Sequence, residues 1–317
     1  MKKFWKMPGN SIKKKGCSKN GNQEMEDRMK RIGFIGLGSI GSPMAGCIIR
    51  AGFQVTVCDK NPKALEAFKK TACRITDKPA DCAEQEMVVI MVANDDQVKA
   101  VMEGEDGLLK AVNPKQPPLL AIMSTVMPHT TQGLAPACAQ KNIRLIDAPV
   151  SGLPVVAEQG KLTIMVGGEA ADLEAMRPVL KTMGENIFHT GPLGSGNVTK
   201  LVNNIVGVTN LFLSVEAMLV GKKYGMDLTK LAAIMETSSG RNFSTKDWER
   251  GKATFAHFAQ SLELSKVLVD LTRKDLQHAL EMARKVHLSS PMLEQIVRVV
   301  EKFSYEEIKE RWRAVTE

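Results

Sequence analysis

Lys200 is the residue of this chain whose setting best suits proton transfer. Lys200 and Asn204 are four residues apart in a stretch with helical spacing, residues 198–224, so both side chains project from one helical face. A helix that begins at about residue 198 places Lys200 in its first turn, where the helix dipole disfavours a cation. That position and partial burial would lower the pKa of Lys200 and suit it to general acid–base work near neutral pH. Spacing alone leaves open an ordinary solvated surface lysine.

A glycine-rich motif near the start of the chain predicts a dinucleotide site. The sequence Gly36-Leu37-Gly38-Ser39-Ile40-Gly41 has the form G-x-G-x-x-G and stands between an apolar strand, residues 31–36, and a predicted helix, residues 43–50. In this context the glycines allow a tight turn, close approach of a pyrophosphate and close packing of helix on strand. The alternative, a purely structural glycine turn, is disfavoured by the context.

The second predicted strand, residues 54–58, ends at a carboxylate that could bind a ribose. Asp59 follows Gly41 by 18 positions, the separation expected for the ribose-binding acid. Its charge favours NAD over NADP, although Lys60 and Lys63 stand close enough in sequence to offset that preference. We therefore expect NAD and leave NADP open.

Two kinds of pattern divide the chain. Up to about residue 193, apolar strands alternate with amphipathic helices, which indicates a mostly parallel sheet covered on both faces. Further strands are expected at 87–92, 119–123, 143–146, 162–166 and 186–189, with helices at 62–70, 96–102, 130–141 and 171–183. From about residue 194 only helical spacing remains, at 198–224, 227–236, 262–286, 291–303 and 305–313. We predict a Rossmann-type α/β domain, residues 29–193, followed by an all-helical domain, residues 194–317.

The net charge of +8 lies mainly in the first 30 residues, which hold nine Lys and Arg against three acidic residues. The rest carries 34 basic and 32 acidic groups, so no basic face for nucleic acid is predicted. Residues 1–28 lack apolar periodicity and a signal-like apolar segment, and we expect a disordered tail. We expect no apolar run long enough to form a membrane helix, and therefore a soluble protein without membrane partners.

The cysteines do not indicate a metal site. The chain has six, with no C-x-x-C pair and no histidine at a zinc-ligand spacing. Reduced core thiols in a cytoplasmic protein, with no bound metal, are the expectation.

Four separate blocks occur in an order and at spacings that are highly specific. They are Gly36-Leu37-Gly38-Ser39-Ile40-Gly41-Ser42-Pro43-Met44-Ala45, Asp147-Ala148-Pro149-Val150-Ser151-Gly152, residues 191–204, and Lys274-Asp275-Leu276. With them, the chain from about residue 31 to 300 resembles the 3-hydroxyisobutyrate dehydrogenase family, the β-hydroxyacid dehydrogenases that include tartronate semialdehyde reductase. The resemblance implies hydride transfer between NAD(P) and a short 3-hydroxy acid or its semialdehyde.

The resemblance also implies a role for each block. Lys200 would be the catalytic acid and base, and Asn204 would hold the substrate's hydroxyl or carbonyl oxygen. Ser151 and Gly152 would bind the substrate carboxylate. Along the cofactor the resemblance places Val92, Ala93 and Gln97 on the adenosine side, Thr125 on the nicotinamide side, and Lys274 across cofactor and substrate. A homodimer or homotetramer is implied, and Gly207, Val208, Leu211 and Val215 recur on successive turns where a partner helix could pack.

The chain departs from the family pattern at the carboxylate block. Leu153, followed by Pro154, replaces a usual glycine, which adds bulk and restricts φ beside the substrate. Since Lys200 and Lys274 are retained, we interpret this as altered specificity. A smaller departure is Ala93, where the family has proline. Arg241 is a further candidate anion contact, although a solvated arginine or a structural ion pair explains it equally well.

Two other functions remain open. An enzyme of the same fold that reduces imines commonly lacks the catalytic lysine, so Lys200 disfavours it. A non-catalytic NAD(P)-binding or chromatin-associated module would depend on the basic tail, and the retained Lys200 and Lys274 disfavour it as well.

Overall fold

The computed structural model describes residues 31–317, and the expected tail, residues 1–28, lies outside them. The first half is a nine-stranded sheet with helices on both faces, and the second half is helical. The strands are β1 (Arg31–Ile35), β2 (Gln54–Cys58), β3 (Cys73–Thr76), β4 (Met87–Ile90), β5 (Leu119–Ile122), β6 (Arg144–Asp147), β7 (Val150–Ser151), β8 (Leu162–Gly167) and β9 (Gly184–Gly191). The predicted fold class, a Rossmann-type half followed by an all-helical half, is confirmed.

The strand order is β3-β2-β1-β4-β5-β6-β8-β7, with β9 paired to β8. Strands β1 to β6 pair in parallel, whereas β8 runs antiparallel to β6 and β7. Because the parallel strands are buried on both faces, nearly every side chain of β1, β4 and β5 is apolar. Their carboxyl ends therefore meet at one edge, where ligands of such sheets bind.

Within residues 31–191, the sheet-bearing half contains seven α-helices and a short 3-10 helix, Pro79–Cys82. The α-helices are α1 (Gly41–Arg50), α2 (Pro62–Glu66), α3 (Asp95–Glu103), α4 (Leu108–Ala111), α5 (Pro128–Gln140), α6 (Pro154–Glu158) and α7 (Ala170–Met183). The helical half contains α8 (Ser195–Lys223), α9 (Leu228–Glu236), α10 (Trp248–Ala259), α11 (Leu262–Lys285), α12 (Pro291–Lys302) and α13 (Tyr305–Thr316).

The helical half has its own apolar core, but its two longest helices also contact the sheet-bearing half. Trp248, Phe255 and Trp312 pack together with Val215 of α8 and Val269 of α11. The first turns of α8 pack against β8, β6 and α5, and α11 lies along α8. Together α8 and α11 bring helical residues to the carboxyl edge of the sheet.

The structure corrects where α8 begins. It starts at Ser195, three residues before the predicted start, after Gly194 in the left-handed conformation (φ 93°). Lys200 is consequently in the second turn, so the expected effect of a first-turn position on its pKa does not apply. Apolar periodicity cannot reveal this start, because Ser195 and Gly196 carry no apolar side chain.

Helix α8 is also apolar enough and long enough to cross a membrane, the one such helix within residues 31–317. No segment of this kind was predicted from the sequence. Only 22% of its most apolar stretch is buried inside the chain. Packing within one chain therefore accounts for one side of α8 and leaves the opposite side without a described cover.

Candidate active site

The glycine-rich turn after β1 has the shape of a pyrophosphate cradle. Gly36 adopts φ +98°, and a Cβ there would collide with the carbonyl of Met91, whereas Gly38 faces open space. Leu37 and Gly41 are buried beneath the turn. Within the described residues no acceptor takes the backbone N–H of Ser39 or Ile40, and the first turn of α1 holds no acidic side chain. Free N–H groups at a helix N-terminus fit a phosphate.

Asp59 lies at the end of β2 and closes this turn. Its Oδ2 accepts from the N–H of Leu37 at 2.6 Å, and its Oδ1 accepts from Asn61 at 2.8 Å. Neither Lys60 nor Lys63 forms an ion pair with it in the described part of the chain. Neither lysine therefore neutralises this carboxylate by an ion pair beside the cradle.

The loops after β4 and β5 are joined by one lysine from the helical half. Lys274 of α11 donates to the carbonyl oxygen of Ala93 at 3.1 Å and to that of Thr125 at 2.8 Å. Gln97 is occupied locally, because its Oε1 accepts from the N–H of Ala93 at 2.9 Å. The N–H of Val92 donates to Ser124 Oγ at 2.8 Å, which ties the two loops together. Four residues predicted along the cofactor thus lie in one connected group that Lys274 holds.

Lys200 lies in the interior where α8 meets this edge, with 9% of its surface exposed. Burial lowers the pKa of its ammonium, the negative charge of Asp275 opposes that effect, and the positive charge of Lys274 adds to it. No side chain or carbonyl within residues 31–317 forms a hydrogen bond or ion pair with its Nζ. Lys200 is thus a desolvated ammonium with a lowered pKa.

Residues 147–152, the block expected to bind the substrate carboxylate, end in a turn between β7 and α6. Ser151 pairs with Thr163 of β8, and β8 packs against α8. Gly152 has φ +152°, and a Cβ there would stand 2.6 Å from Leu162. Leu153 has φ −85° and ψ 167°, an ordinary extended conformation, so it fits without backbone strain and the expected restriction of φ has no cost here. Its bulk is the remaining difference from glycine.

The comparisons with known proteins agree over nearly the whole described chain. Residues 31–191 match the family described as the NAD binding domain of 6-phosphogluconate dehydrogenase, and residues 194–311 match that described as the NAD-binding region of NADP-dependent 3-hydroxyisobutyrate dehydrogenase. The 3-hydroxyisobutyrate dehydrogenase of Pseudomonas aeruginosa is 37% identical over 83% of this chain and 89% of its own. The chain belongs to the 3-hydroxyisobutyrate dehydrogenase family.

A second relative supports the same assignment, and a solved structure shares the fold. The 2-(hydroxymethyl)glutarate dehydrogenase of Eubacterium barkeri is 35% identical over 87% of this chain and 90% of its own. The structure of 3-hydroxyisobutyrate dehydrogenase from Mycobacterium tuberculosis, described with L-serine, shares the fold with a TM-score of 0.76 at 24% identity, over 91% of this chain and 100% of that one. This family member is an NAD(P)-dependent hydroxyacid dehydrogenase.

Asp275 belongs to the Lys274-Asp275-Leu276 block, but no role was predicted for it from the sequence. In this dehydrogenase Asp275 is buried, accepts from Asn204 Nδ2 at 2.6 Å and lies 3.3 Å from Lys274 Nζ. It is thus the negative group that contacts Lys274 and raises the pKa of Lys200. The available signal was its place in the Lys274-Asp275-Leu276 block, next to a predicted site lysine.

Arg241 forms a structural ion pair, one of the alternatives left open for it by the sequence. Its guanidinium forms an ion pair with Glu236 at 3.0 Å at the end of α9 and is largely exposed. This contact supports a structural ion pair over a substrate contact. In the described part of this dehydrogenase no cluster of three or more His, Cys, Asp or Glu could hold a metal ion.

Proposed function

We propose that this dehydrogenase interconverts a short 3-hydroxy acid and its semialdehyde, with Lys200 as the catalytic acid and base. The observation that carries the proposal is the buried ammonium of Lys200, whose pKa burial lowers, at the edge where the cofactor cradle and Lys274 meet. Relatives named for 3-hydroxyisobutyrate, L-serine and 2-(hydroxymethyl)glutarate act on acids that share a primary alcohol on the carbon next to the carboxylate-bearing one. We assign the same substrate class here.

The nicotinamide, when bound, supplies the hydride acceptor or donor. In the oxidation direction neutral Lys200 takes the proton of the alcohol oxygen while the hydride leaves the carbinol carbon, which leaves a carbonyl and an ammonium. Reduction reverses both transfers, and Lys200 returns the proton to the oxygen. Asn204 holds that oxygen, and Ser151 with the N–H of Gly152 holds the substrate carboxylate. Leu153 limits the size of the acid accepted.

For the cofactor we propose NAD as the preferred form. The negative Asp59, not paired with Lys60, suits two free ribose hydroxyls and repels a 2′-phosphate. Ser39 and Ile40 would donate to the pyrophosphate, with Val92, Ala93 and Gln97 beside the adenosine and Thr125 beside the nicotinamide. Residues 29–193 then form the cofactor domain and residues 194–317 the substrate and subunit domain.

We further propose that the enzyme is a homodimer or homotetramer in which α8 packs on a second copy. The predicted contact face of α8, which includes Val208 and Val215, is not available to a partner at these two residues, because both are buried in the chain's own core. The exposed apolar side chains lie on the opposite side of α8, four or seven residues apart: Val198, Val202, Val206, Leu213 and Val220. Since α8 leaves most of its apolar stretch uncovered, a second copy of the same stripe is the occupant we assign.

The experiment is NAD⁺ and NADP⁺ reduction at 340 nm across a panel of 3-hydroxy acids, with Lys200→Ala beside the wild type. Lys200→Ala should lower kcat by about 100- to 10,000-fold while NADH binding, followed by fluorescence, stays within about twofold. The matched control is Lys223→Ala, which removes an exposed lysine of the same helix. Full turnover by Lys200→Ala would refute the assigned role, and turnover with none of the acids would refute the substrate class.

A further inference from the structure

A second buried carboxylate, Asp147, lies where the sheet meets the start of α8. It ends β6, its side chain is wholly buried, and it opens the block that contains Ser151. Its Oδ1 accepts from the N–H of Gly194 at 2.6 Å, and its Oδ2 accepts from the N–H of Asn197 at 2.7 Å. A carboxylate buried without a cationic partner must be stabilised by such donors and by the positive end of the helix.

The Asp147 carboxylate is closely packed by the backbone around it. A Cβ on Gly196 would stand 2.8 Å from Asp147 Oδ2 and would collide with the carbonyl of Met165, and a Cβ on Gly167 would collide with Oδ1. The first turn of α8 is therefore packed directly against Asp147 and the end of β8. Any shift of the carboxylate would move the start of α8 with it.

Asn197 extends this contact to the nicotinamide side of the site. Its side chain is fully buried, its Nδ2 lies 3.4 Å from Asp147 Oδ2, and its Oδ1 accepts from the N–H of Val126 at 3.1 Å. Val126 follows Thr125, whose carbonyl receives Lys274. Asp147 and Asn197 together join the ends of β5 and β6 to the first turn of α8.

Lys200 follows Asn197 by three residues, so its side chain leaves α8 less than one turn beyond this junction. Because no described group forms a hydrogen bond with Lys200 Nζ, the position of that atom depends on where α8 places the Lys200 backbone and on the packing around its buried side chain. We propose that Asp147 is the positioning residue of the reaction: through the start of α8 it holds the Lys200 amine in line with the reacting carbon and oxygen. This inference rests on the proposed function of Lys200.

Asp147→Asn tests it with little change in volume. The amide would turn one N–H donor toward a backbone N–H, so the start of α8 must shift. We expect kcat per NADH-binding site to fall about 10- to 100-fold, since a displacement of about 1 Å at a catalytic group has that effect. The KM for the acid and the Kd for NADH should stay within about threefold. The control is Asp172→Asn, which removes another buried carboxylate, paired with Arg144 away from the site, and should leave kcat within about twofold.

A merely structural role predicts something different. It would lower the midpoint of thermal unfolding and the fraction of competent enzyme, yet leave kcat per NADH-binding site unchanged, and that result overturns the inference. Equal changes in kcat, KM and Kd would overturn it too, because they indicate general distortion. If Asp147→Asn does not fold, Asn197→Ala tests the same junction, because it removes the contacts of the Asn197 side chain with Asp147 Oδ2 and with the N–H of Val126. It should lower kcat at least about fivefold, whereas an unchanged kcat would refute the inference that this junction positions Lys200.

The two proposals fail in separable ways. Turnover that survives Lys200→Ala refutes the proposed function. Turnover that Lys200→Ala abolishes but Asp147→Asn leaves intact refutes only the positioning role of Asp147.

Discussion

The side-chain amide of Asn204 donates a 2.6 Å hydrogen bond to Oδ2 of Asp275, 71 residues further along the chain. The other oxygen, Oδ1, lies 3.3 Å from the ammonium of Lys274. This pair joins α8 to α11 and holds a buried negative charge whose effect reaches Lys200. Three influences therefore set the pKa of Lys200: burial and Lys274 lower it, and Asp275 raises it.

Replacing Asp275 by Asn should shift the pH profile of oxidation to lower pH. The negative charge of Asp275 raises the pKa of Lys200, so its removal lowers that pKa further. Oxidation uses the neutral amine, and the rising limb of kcat against pH would move down accordingly. The weaker hold on Asn204 should also reduce kcat at the plateau by about tenfold. An unshifted profile would show that Asp275 does not act on Lys200 through its charge.

Lys274→Met should shift the same profile in the opposite direction. The positive charge of Lys274 lowers the pKa of Lys200, so its loss raises that pKa and moves the rising limb to higher pH. The carbonyl oxygens of Ala93 and Thr125 lose their shared donor, and NADH should bind about tenfold more weakly by fluorescence titration. Lys285→Met, on the same helix but paired with Glu281, is the control and should leave the profile in place.

Asp59→Asn should reduce the preference for NAD. The amide cannot accept from both the N–H of Leu37 and a ribose hydroxyl as strongly as a carboxylate, and it no longer repels a 2′-phosphate. We expect the KM for NAD⁺ to rise about tenfold and the ratio of kcat/KM values for NAD⁺ and NADP⁺ to fall by at least that factor. Asp106→Asn, an exposed carboxylate near Lys78, serves as control. An unchanged ratio would refute the assignment of Asp59 to the ribose.

The exposed stripe of α8 can be tested by mass. Val206→Glu combined with Leu213→Glu places two charges on it, and like charges on apposed copies would separate the subunits. Light scattering at micromolar protein should report the mass of one chain for this variant and a multiple of it for the wild type. Phe188→Glu, an exposed apolar residue of β9 on the other half, should leave the mass unchanged. A monomeric wild type would rule out the proposed assembly.

Sequence patterns predicted the parallel strands well, because burial on both faces makes each of them a nearly continuous apolar run. The bounds of β2 agree at both ends, 54–58. Strand β3 was missed, since Cys73–Thr76 is a short edge strand with mostly half-exposed side chains. Helix α10 was missed for a related reason: it buries only Trp248 and Phe255, so its periodicity is weak.

The site was predictable only where its residues stand in local motifs. Lys200 and Lys274 are carried by such motifs, and the structure brings both to the sheet edge. The contact of Asn204 with Asp275 and that of Asp147 with Gly194 join distant segments, and no local pattern encodes them. The predicted start of α8 was wrong because Ser195 and Gly196 carry no apolar side chain, and because the β6 carboxylate that accepts from the N–H groups of Gly194 and Asn197 is remote in sequence.

The burial of Lys200 also sets a limit on how heat-resistant this enzyme can be. Because burial lowers its pKa, the folded chain holds a desolvated ammonium below that pKa, whereas the unfolded chain holds a hydrated one up to about pH 10.5. The free energy of unfolding is therefore reduced at neutral pH and recovers as pH rises from the folded-state pKa toward the unfolded-state one. Lys200→Met should therefore raise the melting temperature and abolish turnover. Selection for thermal stability alone would favour loss of this lysine and, with it, of activity.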